Sequence, residues 1–231
     1  IFALMVNFLA YFKYGALNVL IANPRDLQGF VTELGKWKFS AISGVNTLYN
    51  GLLHTPSFAD LNFDNLKVAW GGGAAIQRVV SDKWLELTGQ HIKEGYGLSE
   101  TSPILTINPL GVRHFTETVG LPVPSTEITL RDTEGNEVFD GEPGELWARG
   151  PQVMNGYWRN PEANAEVMTE DGFFKTGDIA ILTEEGYYKI VDRIKDMVLV
   201  SGFNVYPTEI ENVIAEIPGI VEVAVIGVPN D

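Results

Sequence analysis

The chain has 231 residues, 45% of them hydrophobic and none of them cysteine. Such apolar content supports a folded core and argues against disorder, and the lack of cysteine excludes disulfides and cysteine-based metal sites. Thirty acidic residues against sixteen basic ones give a net charge of −14. This balance argues against non-specific nucleic-acid binding, because phosphate contacts need a basic surface.

The first predicted elements come from a mostly apolar stretch. Residues 1–12 are nearly all apolar, and Lys13 then interrupts the run. A membrane-spanning helix needs about 20 apolar residues without a charge. The pattern therefore favours a buried helix, a turn at Gly15 and a buried strand over residues 18–22.

Strand and helix patterns then alternate. Asp26 is placed to cap a helix over residues 27–37, whose apolar positions have helical spacing. Alternation of this kind predicts an α/β layer with parallel strands. The further elements predicted in this part are strands at 41–45 and 66–70 and helices at 47–53 and 76–87.

After Pro109 the pattern becomes β-rich. Short strands separated by glycine turns predict an antiparallel sheet, with Glu185-Gly186 as a hairpin turn. A second α/β unit follows, with strands at 197–200 and 221–228 around a helix at 207–217. The charged stretch 193–196 separates the two patterns, which suits a solvated segment or a hinge.

Two glycine-containing segments could hold a flat ligand. Residues 71–75 (GGGAA) follow a strand, where small residues allow close approach of the backbone, although a tight turn is the simpler alternative. Residues 95–101 (GYGLSET) present one aromatic ring between two glycines, which suits stacking on a purine. Ser99 offers a hydroxyl to phosphate and Glu100 a carboxylate to Mg²⁺, but a turn with a core Tyr explains the segment equally well.

Two later residues have side chains suited to a ribose or a phosphate. Asp178 follows Gly177 in a predicted loop, and one carboxylate can accept hydrogen bonds from two vicinal hydroxyls. Arg193 ends a predicted strand, where a surface ion pair with Asp192 and Asp196 is the alternative. The three histidines, His54, His91 and His114, have no metal-like spacing.

Taken together in this order, residues 71–75, 95–101, 172–178 and 191–196 resemble the AMP-forming acyl-CoA synthetase superfamily. The resemblance covers nearly the whole chain. It implies an α/β fold: part of the large N-terminal domain, with α/β layers and a β-rich subdomain, over residues 1–194, and the start of a small, mobile α+β C-terminal domain over residues 195–231.

The resemblance also assigns roles residue by residue. It implies that Gly72, Gly73 and Ala74 lie against adenine, with Tyr96 and Gly97 also at the nucleotide. Ser99 and Glu100 would serve the phosphates and Mg²⁺, with Ser99 standing where Thr is usual. Asp178 would hold the ribose, Arg193 would contact ribose or phosphate, Lys195 would be the hinge, and Gly202 would face the thiol step.

Residues 44–48, 120–127 and 202–207 are most similar to bacterial long-chain fatty-acid–CoA ligases. These use ATP, Mg²⁺ and CoA to convert a fatty acid to its acyl-adenylate and then to its CoA thioester. A cytoplasmic enzyme with peripheral contact at the inner face of the membrane would fit a lipid substrate. The sequence carries no signal for an oligomeric state.

The family's phosphate loop and distal lysine are not found in these residues. We therefore expect the chain to be an internal piece of a longer enzyme and to be inactive alone. Two alternatives stay open: an aryl-acid or amino-acid adenylating enzyme of the same superfamily, and a non-catalytic nucleotide- or acyl-binding homologue.

Overall fold

A computed structural model describes residues 1–139, 141–200, 203–217, 219–220 and 223–228. The chain packs as two compact units, residues 1–117 and 118–231. The mixed α/β class predicted from the sequence is confirmed. The predicted functional domains, 1–194 and 195–231, stay a prediction, because the compact units reflect packing alone.

The first unit is built on parallel strands. β1 (Ala41–Gly44), β2 (Val68–Gly71) and β3 (Ile92–Tyr96) lie side by side in that order, and β4 (Thr106–Ile107) pairs antiparallel with β3. Parallel strands need crossover connections, and two helices lie in them. The α-helices of this unit are α1 (Ala10–Lys13), α2 (Leu27–Leu34), α3 (Asn46–Leu53) and α4 (Arg78–Thr88).

An aromatic cluster lies at the core of the first unit. The rings of Tyr49 and Trp84 meet edge to face at 4.7 Å, and Phe58 lies 5.5 Å from Trp84. Helix α2 contributes three buried residues at the predicted spacing. The predicted cap is also confirmed, since Asp26 accepts a hydrogen bond from Gly29 N at 2.9 Å.

The helix and the turn at Gly15 that were predicted for the apolar start of the chain are confirmed, but the predicted burial and the predicted strand over residues 18–22 were wrong. A π-helical segment (Ala3–Leu9) leads into α1, and neither element contains a buried residue. Residues 18–22 form no strand, and Leu20 is 76% exposed. No helix in the described part of the chain is both long and apolar enough to cross a membrane.

The second unit contains the predicted antiparallel sheet. After a short β5 (Leu121–Pro122) come four strands ordered as in the sequence, with Gly186 in the predicted hairpin turn at φ +81°. These strands are β6 (Glu127–Arg131), β7 (Gly144–Arg149), β8 (Phe174–Leu182) and β9 (Tyr188–Arg193). Helix α5 (Pro161–Val167), which the sequence did not predict, starts at an Asn160 cap between β7 and β8.

The end of the chain follows the prediction in part. β10 (Val198–Val200) and β11 (Phe203–Val205) pair antiparallel, and α6 (Pro207–Ala215) follows them. The predicted strand at 221–228 was wrong over residues 223–228, which have no regular secondary structure. Its first two residues lie outside the described residues.

Candidate nucleotide site

Two glycine-containing turns meet at one edge of the parallel sheet. Strands β2 and β3 are parallel neighbours, so their carboxyl ends lie side by side, where open α/β sheets bind ligands. A cavity of about 200 Å³ opens there. Five of the predicted site residues line it together: Gly72, Gly73, Tyr96, Gly97 and Ser99.

The glycines at this edge are required by space or by backbone conformation. A Cβ on Gly97 would overlap the Pro103 carbonyl oxygen. A Cβ on Gly72 would lie 3.3 Å from Gly95 O and 3.4 Å from the Phe2 ring. Gly73 has a φ of +80°, which strains any residue with a side chain. The backbone is therefore bare where it borders the cavity.

The turn after β3 is shaped by a buried threonine. Leu98 N donates to Thr101 Oγ1 at 2.9 Å, and that hydroxyl lies 3.1 Å from Pro103 O. Ser99 is exposed at the start of a short 3₁₀ helix (Ser99–Thr101). The turn thus presents the Ser99 hydroxyl at the rim of the cavity.

The remaining two predicted residues of this unit lie nearby in sequence but do not line the cavity. Ala74 is exposed and Glu100 is half-buried. Among the described residues, no group of three or more His, Asp or Glu side chains could hold a metal ion. A single carboxylate such as Glu100 still fits Mg²⁺, which keeps waters and takes substrate phosphates as its other ligands.

One buried carboxylate at this edge was missed by the sequence analysis. Glu94 lies on β3, is only 6% exposed, and accepts a hydrogen bond from Ile76 N at 2.9 Å. The available signal was an acidic residue two positions before Tyr96. No strand was predicted over residues 92–96, so the sequence did not indicate that Glu94 is buried.

Tyr49 ties helix α3 to the end of β2. Its hydroxyl donates to the Trp70 carbonyl at 2.7 Å, one residue before the glycines begin. The side chain is fully buried, and this burial raises the pKa of the phenol well above its ordinary range. Tyr49 therefore remains a neutral donor under all ordinary conditions.

In the second unit, Asp178 and Arg193 are brought together. They are opposite one another on β8 and β9, and Arg193 Nε lies 3.2 Å from Asp178 Oδ1. The Asp178 side chain is 6% exposed and that of Arg193 54%. Asp192, a partner in the surface-pair alternative, instead accepts from Thr208 N at 3.1 Å, at the start of α6.

The backbone before Asp178 is held by its neighbours. Gly177 has a φ of +73°, and its N–H donates to Glu145 Oε1 at 3.0 Å. The Thr176 hydroxyl accepts from Asp178 N and donates to Leu146 O. These contacts hold the backbone that carries the Asp178 side chain, and Glu145 is a second residue that the sequence analysis missed.

Lys195 and Gly202 complete the predicted set. Lys195 is exposed in the turn that follows β9, beside a cavity of about 630 Å³ lined in part by Asp192, Thr208 and Glu211. Gly202 lies outside the described residues. The hinge and thiol-step roles of these residues stay predictions.

Comparisons with known proteins agree with the resemblance. The profile of the family described as AMP-binding enzyme matches residues 1–158. A long-chain-fatty-acid–CoA ligase of Yersinia pestis is 54% identical over 231 residues, covering 100% of this chain and 41% of the relative. The chain thus spans about two fifths of the length of that curated relative.

Solved structures share the fold. A crystal structure of an anthranilate CoA ligase in complex with anthranoyl-AMP matches with a TM-score of 0.86 and 29% identity, over 93% of this chain and 41% of that one. ATP-bound MatB from Rhodopseudomonas palustris matches with a TM-score of 0.78 and 35% identity, over 90% and 40% of the two chains.

Proposed function

Because the chain belongs to the AMP-binding enzyme family, we propose that it forms the nucleotide-holding part of an ATP-dependent long-chain fatty-acid–CoA ligase. In the first half-reaction the fatty-acid carboxylate attacks the α-phosphate of ATP, and pyrophosphate leaves. In the second half-reaction the CoA thiol attacks the acyl carbon of the adenylate, the thioester forms, and AMP leaves. ATP and CoA are therefore the co-substrates.

The observation that carries this proposal is the shared cavity of the two glycine turns. Its volume of about 200 Å³ is below the roughly 300–1,000 Å³ typical of a whole-ligand pocket, and it suits a base. The bare backbone at Gly72 and Gly73, continued by Ala74, would border the adenine. Stacking on Tyr96, flanked by Gly97, would contribute about 1–3 kcal/mol.

The turn after β3 would bind the phosphates of ATP. The exposed Ser99 hydroxyl can donate to a phosphate oxygen, and Glu100 can bind Mg²⁺ through one carboxylate. When bound, Mg²⁺ would offset negative charge on the phosphates. The hydrogen bonds of Thr101 hold this turn in one conformation, and the turn carries both Ser99 and Glu100.

The ribose would be held by Asp178. A carboxylate can accept hydrogen bonds from two vicinal hydroxyls, and the Arg193 guanidinium beside it favours the ionised form. Because the Arg193 side chain is 54% exposed, it keeps donors available for ribose or phosphate. Lys195 would act as the hinge between half-reactions, after which Gly202 would leave room for the pantetheine arm.

The proposed acid substrate is inferred from sequence identity over the whole chain. The 54% identity to a long-chain-fatty-acid–CoA ligase favours a fatty acid. An aryl acid is the second candidate, because the anthranilate CoA ligase shares the fold with a TM-score of 0.86. A homologue that binds nucleotide without catalysis is the third.

A chimera tests these candidates. Residues 1–231 would replace the matching segment of the Yersinia pestis ligase, and AMP release would be measured with ATP and CoA. The acids would be palmitate or oleate, a short fatty acid, anthranilate or a cinnamate, and mixed amino acids. We expect AMP release with the long fatty acids, and none from the 231-residue chain alone.

Each other result overturns part of the proposal. AMP release with aryl or amino acids would overturn the substrate. A folded chimera that binds ATP and releases no AMP with any acid would support the non-catalytic homologue. The matched variants Asp178→Asn and Asp60→Asn, one buried and one exposed, should respectively lower and preserve the rate of AMP release at low ATP concentration.

The proposed reaction also bears on the cellular location of the enzyme and on its contact with membranes. We place the activity in the cytoplasm, where ATP and CoA are available, with peripheral contact at the inner face of the membrane when the lipid substrate is taken up. A flotation assay with anionic vesicles and oleate would test this contact. Recovery of the chimera only in the soluble fraction would contradict it.

A further inference from the structure

The glycine turn, defined as residues 72–77, is exposed in its middle, whereas its residue Ile76 is buried in the core. It contains two glycines, which have wide conformational freedom, and Gly73 to Ala75 are exposed. Its first residue is tied to β1, since Gly72 N donates to Gly44 O at 3.2 Å. Its far end is held by side chains from two other elements.

The first of these side chains is the Glu94 carboxylate. Glu94 pairs with Gly71 in the register of β3 and β2, so it lies directly beside the start of the turn. Its Oε1 accepts from Ile76 N at 2.9 Å. Burial of a carboxylate that is only 6% exposed costs free energy, and the hydrogen bond from Ile76 N offsets part of this cost.

The second is the Asn46 amide at the start of α3. Its Oδ1 accepts from Gln77 N at 3.0 Å, and its Nδ2 donates to Gln77 Oε1 at 3.2 Å. Two consecutive backbone N–H groups, those of Ile76 and Gln77, are thus bound by side chains from β3 and α3. Neither Glu94 nor Asn46 lines the cavity.

We propose that Glu94 and Asn46 are positioning residues that hold the glycine turn in the shape that binds the nucleotide, an inference that rests on the proposed function. When a turn visits other shapes, the binding-competent fraction falls and the apparent dissociation constant rises in proportion. Loss of either side chain should therefore weaken nucleotide binding.

The test compares variants of the 231-residue chain that keep or remove the acceptor. Glu94→Gln keeps a carbonyl oxygen for Ile76 N, and Glu94→Ala removes it. Asn46→Asp keeps an acceptor for Gln77 N, and Asn46→Ala removes it. Asn136→Ala, an exposed amide in the other unit, is the control.

Two measurements are made on each variant: the dissociation constant for AMP by calorimetry, and hydrogen exchange of the Ile76 and Gln77 amides. Both alanine variants at the turn should weaken AMP binding about tenfold or more, as expected when a backbone N–H loses its hydrogen-bond acceptor. Exchange should rise at Ile76 for Glu94→Ala and at Gln77 for Asn46→Ala. Glu94→Gln should stay within about threefold of the parent chain, and Asn136→Ala should change nothing.

The outcomes separate this inference from the proposed function. If the parent chain binds no AMP, the function fails, while amide exchange still tests the two contacts. Unchanged exchange and AMP binding in Glu94→Ala or Asn46→Ala would overturn the positioning role. So would a Glu94→Gln variant that loses binding as fully as Glu94→Ala. If Glu94→Ala does not fold, Glu94→Gln and Asn46→Ala decide the question.

Discussion

Gly97 shows how one residue can be fixed by space alone. Its backbone does not need a positive φ, but a Cβ would overlap the Pro103 carbonyl oxygen. We expect Gly97→Ala to lower the free energy of unfolding by about 1–3 kcal/mol, the usual cost of overpacking, and to abolish AMP binding. Urea unfolding and calorimetry would measure both. Gly111→Ala, where the added Cβ meets nothing within 4 Å, should match the parent, and an equal loss there would contradict the explanation.

Substitution of Asp178 distinguishes a role in nucleotide binding from a role in the stability of the fold. Asp178→Asn removes the ion pair but leaves an Arg193 guanidinium that is 54% exposed to water, so the loss of stability should be small. Nucleotide affinity should nevertheless fall about tenfold, since hydrogen bonds to an ionised acceptor are roughly twice as strong as neutral ones. AMP calorimetry and urea unfolding together test this, with Asp60→Asn as the exposed control. A loss of stability without a loss of affinity would assign Asp178 to the fold alone.

At the residue scale the sequence predicted the residues that face a ligand better than those that support them. The glycines and Tyr96 stood out because their arrangement is unusual for a core or a surface. Glu94 and Glu145 did not, because their partners are backbone N–H groups 18 and 32 residues away. Such pairings depend on the fold, so no local pattern reveals them.

Between elements, Tyr49 joins helix α3 to strand β2 through its hydroxyl. Burial raises the pKa of this phenol above the 10.0 of an exposed tyrosine. Below about pH 9 both states keep the proton, so this group adds no pH dependence. Above about pH 10 the unfolded chain loses the proton and the folded chain keeps it, so the free energy of unfolding should fall.

The variant Tyr49→Phe tests how the buried phenol affects the pH dependence of stability. The variant keeps the ring packed on Trp84 but loses the hydrogen bond to Trp70 O, so at about pH 7 it should be less stable by about 1 kcal/mol. The difference between variant and parent should narrow above about pH 10, because only the parent carries the titrating phenol. Urea unfolding at the two pH values measures it. A difference that stays constant would show that Tyr49 titrates at its ordinary pKa.

Several predicted elements are present with small differences at their ends, whereas two apolar segments that were predicted as strands are not strands. Strand β2 and helix α4 differ from their predicted bounds by only one or two residues at each end. Residues 18–22 and 223–228 are equally apolar but form no strand. A strand needs a pairing partner, and local composition does not report one.

At the scale of the whole molecule, charge is the dominant feature. A net charge of −14 makes the folded chain repel itself, and it also opposes the approach of nucleic acid. Neither effect prevents binding of ATP, because a local site bordered by backbone amides does not follow the net charge. The self-repulsion is screened by salt over a Debye length of about 8 Å at physiological ionic strength.

We therefore expect the urea midpoint to rise when NaCl is increased from about 0.01 to about 0.15 M, over which range the Debye length shrinks from about 30 to about 8 Å. A variant that removes four of the fourteen net negative charges should show a smaller rise. Its substitutions, all at exposed positions, are Glu142→Gln, Glu170→Gln, Glu184→Gln and Glu185→Gln. Conversely, Lys38→Gln with Lys67→Gln, also exposed, should enlarge the rise, because these changes add to the negative excess. If all three chains respond equally, the salt effect comes from ion binding at one site and not from the charge of the molecule as a whole.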